Sequence, residues 1–253
     1  PNLCIKNDAS YHDMYYMNPP AKDLSKIASS DKVKKVQKDF EATHVRPQRL
    51  MKTLFTDEAY VKANVDEARL MRRLFDLACN MQSHDTDMQL YSLFTDEECY
   101  DLWSCNNLYW YLTHACSPVT DGLMPYREAD LLRNILDRAD AALKEGKNQA
   151  TLRFGHESCL LPLVALLELN HYGESYPDVE KLSEQWRAYD IFPMASNVQF
   201  VFFHKKGSND VLVKVLLNEK ETKLPVKTDV APYYHWKDVE SYYREKLNKY
   251  QHM

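Results

Sequence analysis

The 253-residue chain is short of several things, and each shortage removes a class of function. No run reaches the ~18 to 20 consecutive apolar residues that a membrane helix needs. Positive charge is not in surplus. Against 37 Asp and Glu stand 32 Lys and Arg, a formal charge of −5, so the molecule as a whole does not attract a polyanion. The most basic stretch, Lys32 to Lys38, reads as the solvated face of a helix, and nucleic acid is not an expected partner. The six cysteines, Cys4, Cys79, Cys99, Cys105, Cys116 and Cys159, include no C-x-x-C pair, which argues against a zinc ribbon or a thioredoxin-type site. Disulfides and buried free thiols both remain open for them. No repeat or low-complexity tract is present, and the first residue is Pro, so the chain reads as a mature product or a fragment.

What is present is ordinary globular material, 45% apolar and 27% charged, long enough for one large or two small domains. The first part reads as helical. Asp23 to Phe40 is one long charged segment, and Asn64 is the expected cap of a helix carrying Leu70, Met71, Leu74 and Phe75. Thr95 and Glu98 have capping-box spacing ahead of a segment that runs to about Leu112. Leu131, Leu132, Ile135, Leu136, Ala139 and Leu143 mark the clearest amphipath, with Gly146 as a left-handed terminator. The character then changes. Thr151 to Phe154, Val198 to Lys205 and Asp210 to Asn218 read as strands, the last two joined by a turn through KKGSND, and Trp236 to Leu247 reads as a closing helix.

The chemistry concentrates where the first of those strands meets a dense apolar segment, in Gly155-His156-Glu157-Ser158. Spacing excludes several motifs. Residue 160 is Leu, so H-E-x-x-H fails, and Ser158 stands three residues after Gly155, so G-x-S-x-G fails. One Gly and no Lys do not make a phosphate-cradling loop. Cys159, flanked by Leu160 and Leu161, reads as buried packing. Ser158 is the expected cap, with Pro162 in the first turn. The residues alone then leave two readings. One is an anion site at a helix N-terminus, with His156 as a donor and Glu157 as a proton source. The other is a capping loop whose His and Glu simply face solvent.

The stretch LRFGHESCLLPLVALL resembles the C-terminal active-site motif of the histidine acid phosphatases, in the branch of the multiple inositol polyphosphate phosphatases that act as phytases. DASYHDMYYMN, RPQRLMKTLFTDEAYV, DGLMPYREADLLRNILDRADAAL and FPMASNVQFVFFHK carry the likeness across the rest of the chain. The resemblance implies an α/β domain with an inserted all-helical domain: residues 1–18 as a segment of the α/β domain, 19–112 as the helical domain and 113–253 as the C-terminal part of the α/β domain. It implies hydrolysis of phosphate monoesters through a phosphohistidine, without cofactor or metal, in an extracytoplasmic (periplasmic or secreted) setting. His156 would hold the transferring phosphoryl group, and Glu157, the acid next to it, would protonate the leaving alcohol. Ser158 at the helix N-terminus would contact the anion, and Arg46, Arg49, Lys52 and Arg127 are the basic residues available to an inositol polyphosphate. None of the nine histidines follows an Arg, so the family's Arg-His-Gly nucleophile motif is absent. The expected partner is therefore the missing N-terminal part of the enzyme, and this piece alone is expected to be inactive. A non-catalytic binding or scaffolding domain of the same fold, and a general acid phosphatase, are the alternatives.

Overall fold

The computed structural model describes residues 22–146 and 149–251. The segment 1–18, with DASYHDMYYMN and Cys4, lies outside the described residues. Two compact units emerge. Asp31–Tyr109 forms one, and residues 22–30 together with 110–146 and 149–251 form the other. The proposed domain boundaries at 18/19 and 112/113 are a separate assignment from these contact-based limits.

The expected helix from Asp23 to Phe40 is two helices, α1 (Lys22–Ala28) and α2 (Asp31–His44). Ser29 accounts for the break: its Oγ donates to the carbonyl of Ser25 at 2.9 Å, competing with helix propagation. The helical unit continues with α3 (Gln48–Leu54), α4 (Glu58–Asn64), α5 (Glu67–Asn80) and most of α6 (Asp96–His114). Asn64 is not a cap but the last residue of α4, where its Nδ2 donates to Tyr60. Asp66 caps α5 instead by accepting from the amide of Arg69. The capping box at the start of α6 forms in both directions, Glu98 N–H to Thr95 Oγ1 at 3.2 Å and Thr95 N–H to Glu98 Oε2 at 3.0 Å. Leu50, Met51, Val61, Met71, Ala78, Phe94 and Leu102 form the core of this unit.

In the second unit a short 3₁₀ turn, Met124–Glu128, leads into α7 (Ala129–Glu145), which ends at Gly146 in the left-handed region with φ 64. Leu131, Leu132 and Leu136 are its buried stripe. Residues 151–154, read above as a strand, are not one. Residues 151–156 run, without strand pairing among the described residues, into α8 (Glu157–Leu166), with Leu152 71% and Phe154 84% exposed. Alternation of apolar and polar residues makes a strand only beside a partner, and among the described residues there is none.

The sheet is built on β2 (Val211–Leu217), which pairs antiparallel with β1 (Val198–His204) over the full length of both. On its other edge β2 takes two short strands, β3 (Lys220–Glu221) and β4 (Tyr234–His235). The hairpin turn uses Gly207 at φ 82. Val213, Val215 and Leu217 alternate inward and pack towards α9 (Trp236–Gln251), whose Val239, Tyr243 and Leu247 are buried. Arg244 fastens α9 to α7 through Asp137 at 2.9 Å and Asp140 at 2.8 Å.

Candidate active site

Helix α8 is apolar on nearly every side. Cys159, Leu161, Pro162, Leu163, Val164, Ala165 and Leu166 are all buried, as expected of a helix that runs through a core. Its ends are treated differently. At the C-terminus, Tyr243 Oη donates to the carbonyl of Leu167 at 2.8 Å, and Lys246 Nζ donates to that of Leu166 at 2.7 Å. Lys246 also pairs with Glu168 at 3.1 Å.

The N-terminus has no such partners. The cap is His156, not Ser158. His156 has an extended backbone (φ −110, ψ 163), and its carbonyl accepts from Cys159 at 3.0 Å and Leu160 at 3.1 Å, so the helix starts two residues earlier than Ser158 would allow. Pro162 consequently lies inside the helix rather than in its first turn. The His156 side chain makes no cap hydrogen bond. Among the described residues the amides of Glu157 and Ser158 have no acceptor. His156 and Glu157 are exposed and Ser158 is half-buried. A donor, a carboxylate and two free amides therefore meet at the positive end of a helix, an arrangement that suits an anion. No closed phosphate-sized hole surrounds them; the described residues leave His156 and Glu157 on open surface.

A group of buried ionisable side chains lies beneath this turn. Met124–Glu128 packs against α8. Glu128 is 3% exposed, and its Oε2 has no hydrogen-bond partner among the described residues. Burial pushes its carboxyl up to about 8 despite the adjacent Arg127 charge, which acts in the opposite sense. Burial and the same Arg127 charge push His114 down to about 4, and its Nδ1 lies 2.7 Å from Thr113 Oγ1. Burial, reinforced by the Glu128 charge, pushes the Cys159 thiol up to about 11, so it is no nucleophile at neutral pH. Sequence reading passed over Glu128 and His114. For Glu128 the signal was available, since it stands three and four residues before Leu131 and Leu132 and thus on their buried stripe.

The four basic candidates part company. Arg127 acts electrostatically on Cys159 in the first turn of α8. Arg46, Arg49 and Lys52 are in the helical unit, each facing carboxylates. Arg46 pairs with Glu97 at 2.7 Å and with Asp101. Arg49 grips Glu98 through Nε at 2.7 Å and Nη2 at 2.5 Å, and also donates to the carbonyl of Leu93. Burial would raise Glu98, but the hydrogen bonds from Arg49 and Thr95 hold its carboxyl below the usual range. Lys52 stands 3.9 Å from Glu58. A cavity of about 930 Å³ in the same unit has Phe40, Arg72, Phe75 and Cys105 in its walls and none of the predicted site residues. The cysteines at 79, 99, 105, 116 and 159 are all free thiols. Among the described residues no cluster of three or more His, Cys, Asp or Glu is arranged to hold a metal, and no helix is long and apolar enough to cross a membrane.

Comparison with known proteins shows the fold and the family. The fold resembles crystal structures of the multiple inositol polyphosphate phosphatase of Bifidobacterium longum. The phosphate complex superimposes with a TM-score of 0.61 at 19% identity, covering 96% of this chain and 60% of that one. The complex with inositol hexasulfate gives 0.56, covering 94% and 58%. In sequence, human multiple inositol polyphosphate phosphatase 1 is 28% identical over 134 residues, which are 48% of this chain and 27% of the human protein. The model of the histidine phosphatase superfamily (branch 2) matches residues 5–218, and the chain belongs to that family. It spans little more than half the length of the solved relatives.

Proposed function

We infer that this chain is the C-terminal portion of a histidine acid phosphatase that hydrolyses phosphate monoesters, inositol polyphosphates foremost, in an extracytoplasmic compartment. It contributes one half of the active site. His156 and the free amides of Glu157 and Ser158 hold the transferring phosphoryl group, Arg127 adds positive charge, and Glu157 protonates the leaving oxygen. The nucleophilic histidine and its arginines come from the missing N-terminal portion. The observation that carries this reading is the N-terminus of α8: a helix end without a side-chain cap bond, on exposed surface, flanked by an imidazole and a carboxylate, in a chain of this family.

Mass spectrometry of the natively purified protein tests it. A companion segment bearing an Arg-His-Gly stretch is expected, and phosphate release from an inositol polyphosphate is expected only when both are present. Release by this chain alone at an enzyme-like rate would contradict the reading, because phosphate monoester hydrolysis demands acceleration of up to ~10²¹-fold.

A further inference from the structure

The mechanism just proposed makes no use of Glu128, although few carboxyl groups are so placed. It is 3% exposed, one of its oxygens has no partner among the described residues, and it ends the 3₁₀ turn that packs against α8. Helices α8, α7, α1 and α9 border that turn, the last through Tyr250, whose ring stacks on Tyr126 at 4.2 Å, and the groups they bring can be named. Arg127 is the neighbour on its own segment and the one charge acting on Glu128. From α8 the facing group is Cys159, which feels both Glu128 and Arg127. Among the described residues neither α7 nor α1 brings a charged group to bear on Glu128. Arg127 also acts on the buried His114 of α6, and that imidazole is neutral at pH 7. One mobile proton therefore decides the net charge of this buried group. With Glu128 protonated, the Arg127 charge is uncompensated. With Glu128 ionised, the two charges cancel.

Resting on the phosphate-site reading above, we propose that Glu128 is a positioning residue that couples oxyanion binding at the first turn of α8 to pH. In its neutral form it leaves Arg127 free to attract the anion, and in its ionised form it takes that charge for itself. Binding of the anion must, by linkage, favour the protonated acid. The site then holds its anion best in acid and neutral solution and releases it in alkali.

The test uses sulfate, whose charge does not change across the range, and the intact chain labelled with ¹⁵N. Displacement of the amide signals of Glu157 and Ser158 reports binding between pH 6 and 9, in the wild type and in Glu128→Gln. The expected result is a loss of affinity at high pH larger in the wild type by about fivefold or more, the usual lower range for coupled sites. Parallel profiles with binding retained would overturn the role of Glu128 and leave the phosphate site standing. Absence of any sulfate-dependent displacement in either protein would overturn the site itself, and this proposal with it. Should Glu128→Gln not fold, the ¹³C titration of the Glu128 carboxyl in the wild type decides. Its midpoint must rise when sulfate is added, and an unmoved midpoint overturns the coupling.

Discussion

The two ends of α8 are finished differently. At the C-terminus, Tyr243 and Lys246 of α9 donate to the last carbonyls, and the chain beyond is fixed by Glu168 and Tyr242. At the N-terminus the amides of Glu157 and Ser158 lack acceptors, and the side chains beside them are exposed. A helix so apolar could be finished at both ends for stability. Leaving one end open forgoes that stabilisation and keeps donors available for a ligand.

The largest expected effect sharpens this contrast. Tyr243→Ala removes a fully buried ring and should cost about 3–5 kcal/mol in chemical denaturation, while Tyr243→Phe, which only orphans the Leu167 carbonyl, should cost about 1–3 kcal/mol. His156→Ala, at the other end, should change stability by less than about 0.5 kcal/mol. A comparable loss at both ends would break the distinction.

The next effect is pH dependence, and its sign follows from two buried groups. Glu128 rises from 4.5 to about 8 on folding, so the native state holds an extra proton between those values and stability falls as pH increases. His114 falls from 6.5 to about 4, so the native state lacks a proton over that range and stability rises with pH. The two cancel between roughly pH 4.5 and 6.5. From there to pH 8 Glu128 is the buried group that acts, contributing a decline of about 2 kcal/mol at ~1.4 kcal/mol per pH unit, and His235, raised by its hydrogen bonds to Asp210 and Asp229, adds in the same sense. Glu128→Gln should remove most of this decline in urea denaturation at pH 6.5 and 8, and should leave stability rising from pH 4 to 6.5. An unchanged decline would remove Glu128 as its source.

Local signals in the sequence proved dependable where a short-range bond settles the matter. Thr95 with Glu98, Gly146, and the KKGSND turn all specify their geometry within a few residues, and the structure forms each. Signals that need a distant partner did not. Thr151 to Phe154 alternates as a strand does, yet a strand is a relation between two segments, and no second segment lies beside it among the described residues. Cap positions slipped by two residues at both Asn64 and Ser158, because Asp66 and the carbonyl of His156 compete for the same role. The family likeness pointed to His156 and Glu157 as candidates but gave no reason to look at Glu128. That residue became visible only as a carboxyl inside a core.

Leaving-group dependence in the complete enzyme reaches furthest into this account. If Glu157 delivers the proton, Glu157→Gln should slow phosphoenzyme formation from an alkyl phosphate by about 10²–10⁴-fold. It should slow p-nitrophenyl phosphate far less, since that leaving group departs as a stable anion. Equal slowing of both substrates, or of neither, would contradict the assignment of the open end of α8 as the place where the proton is given up.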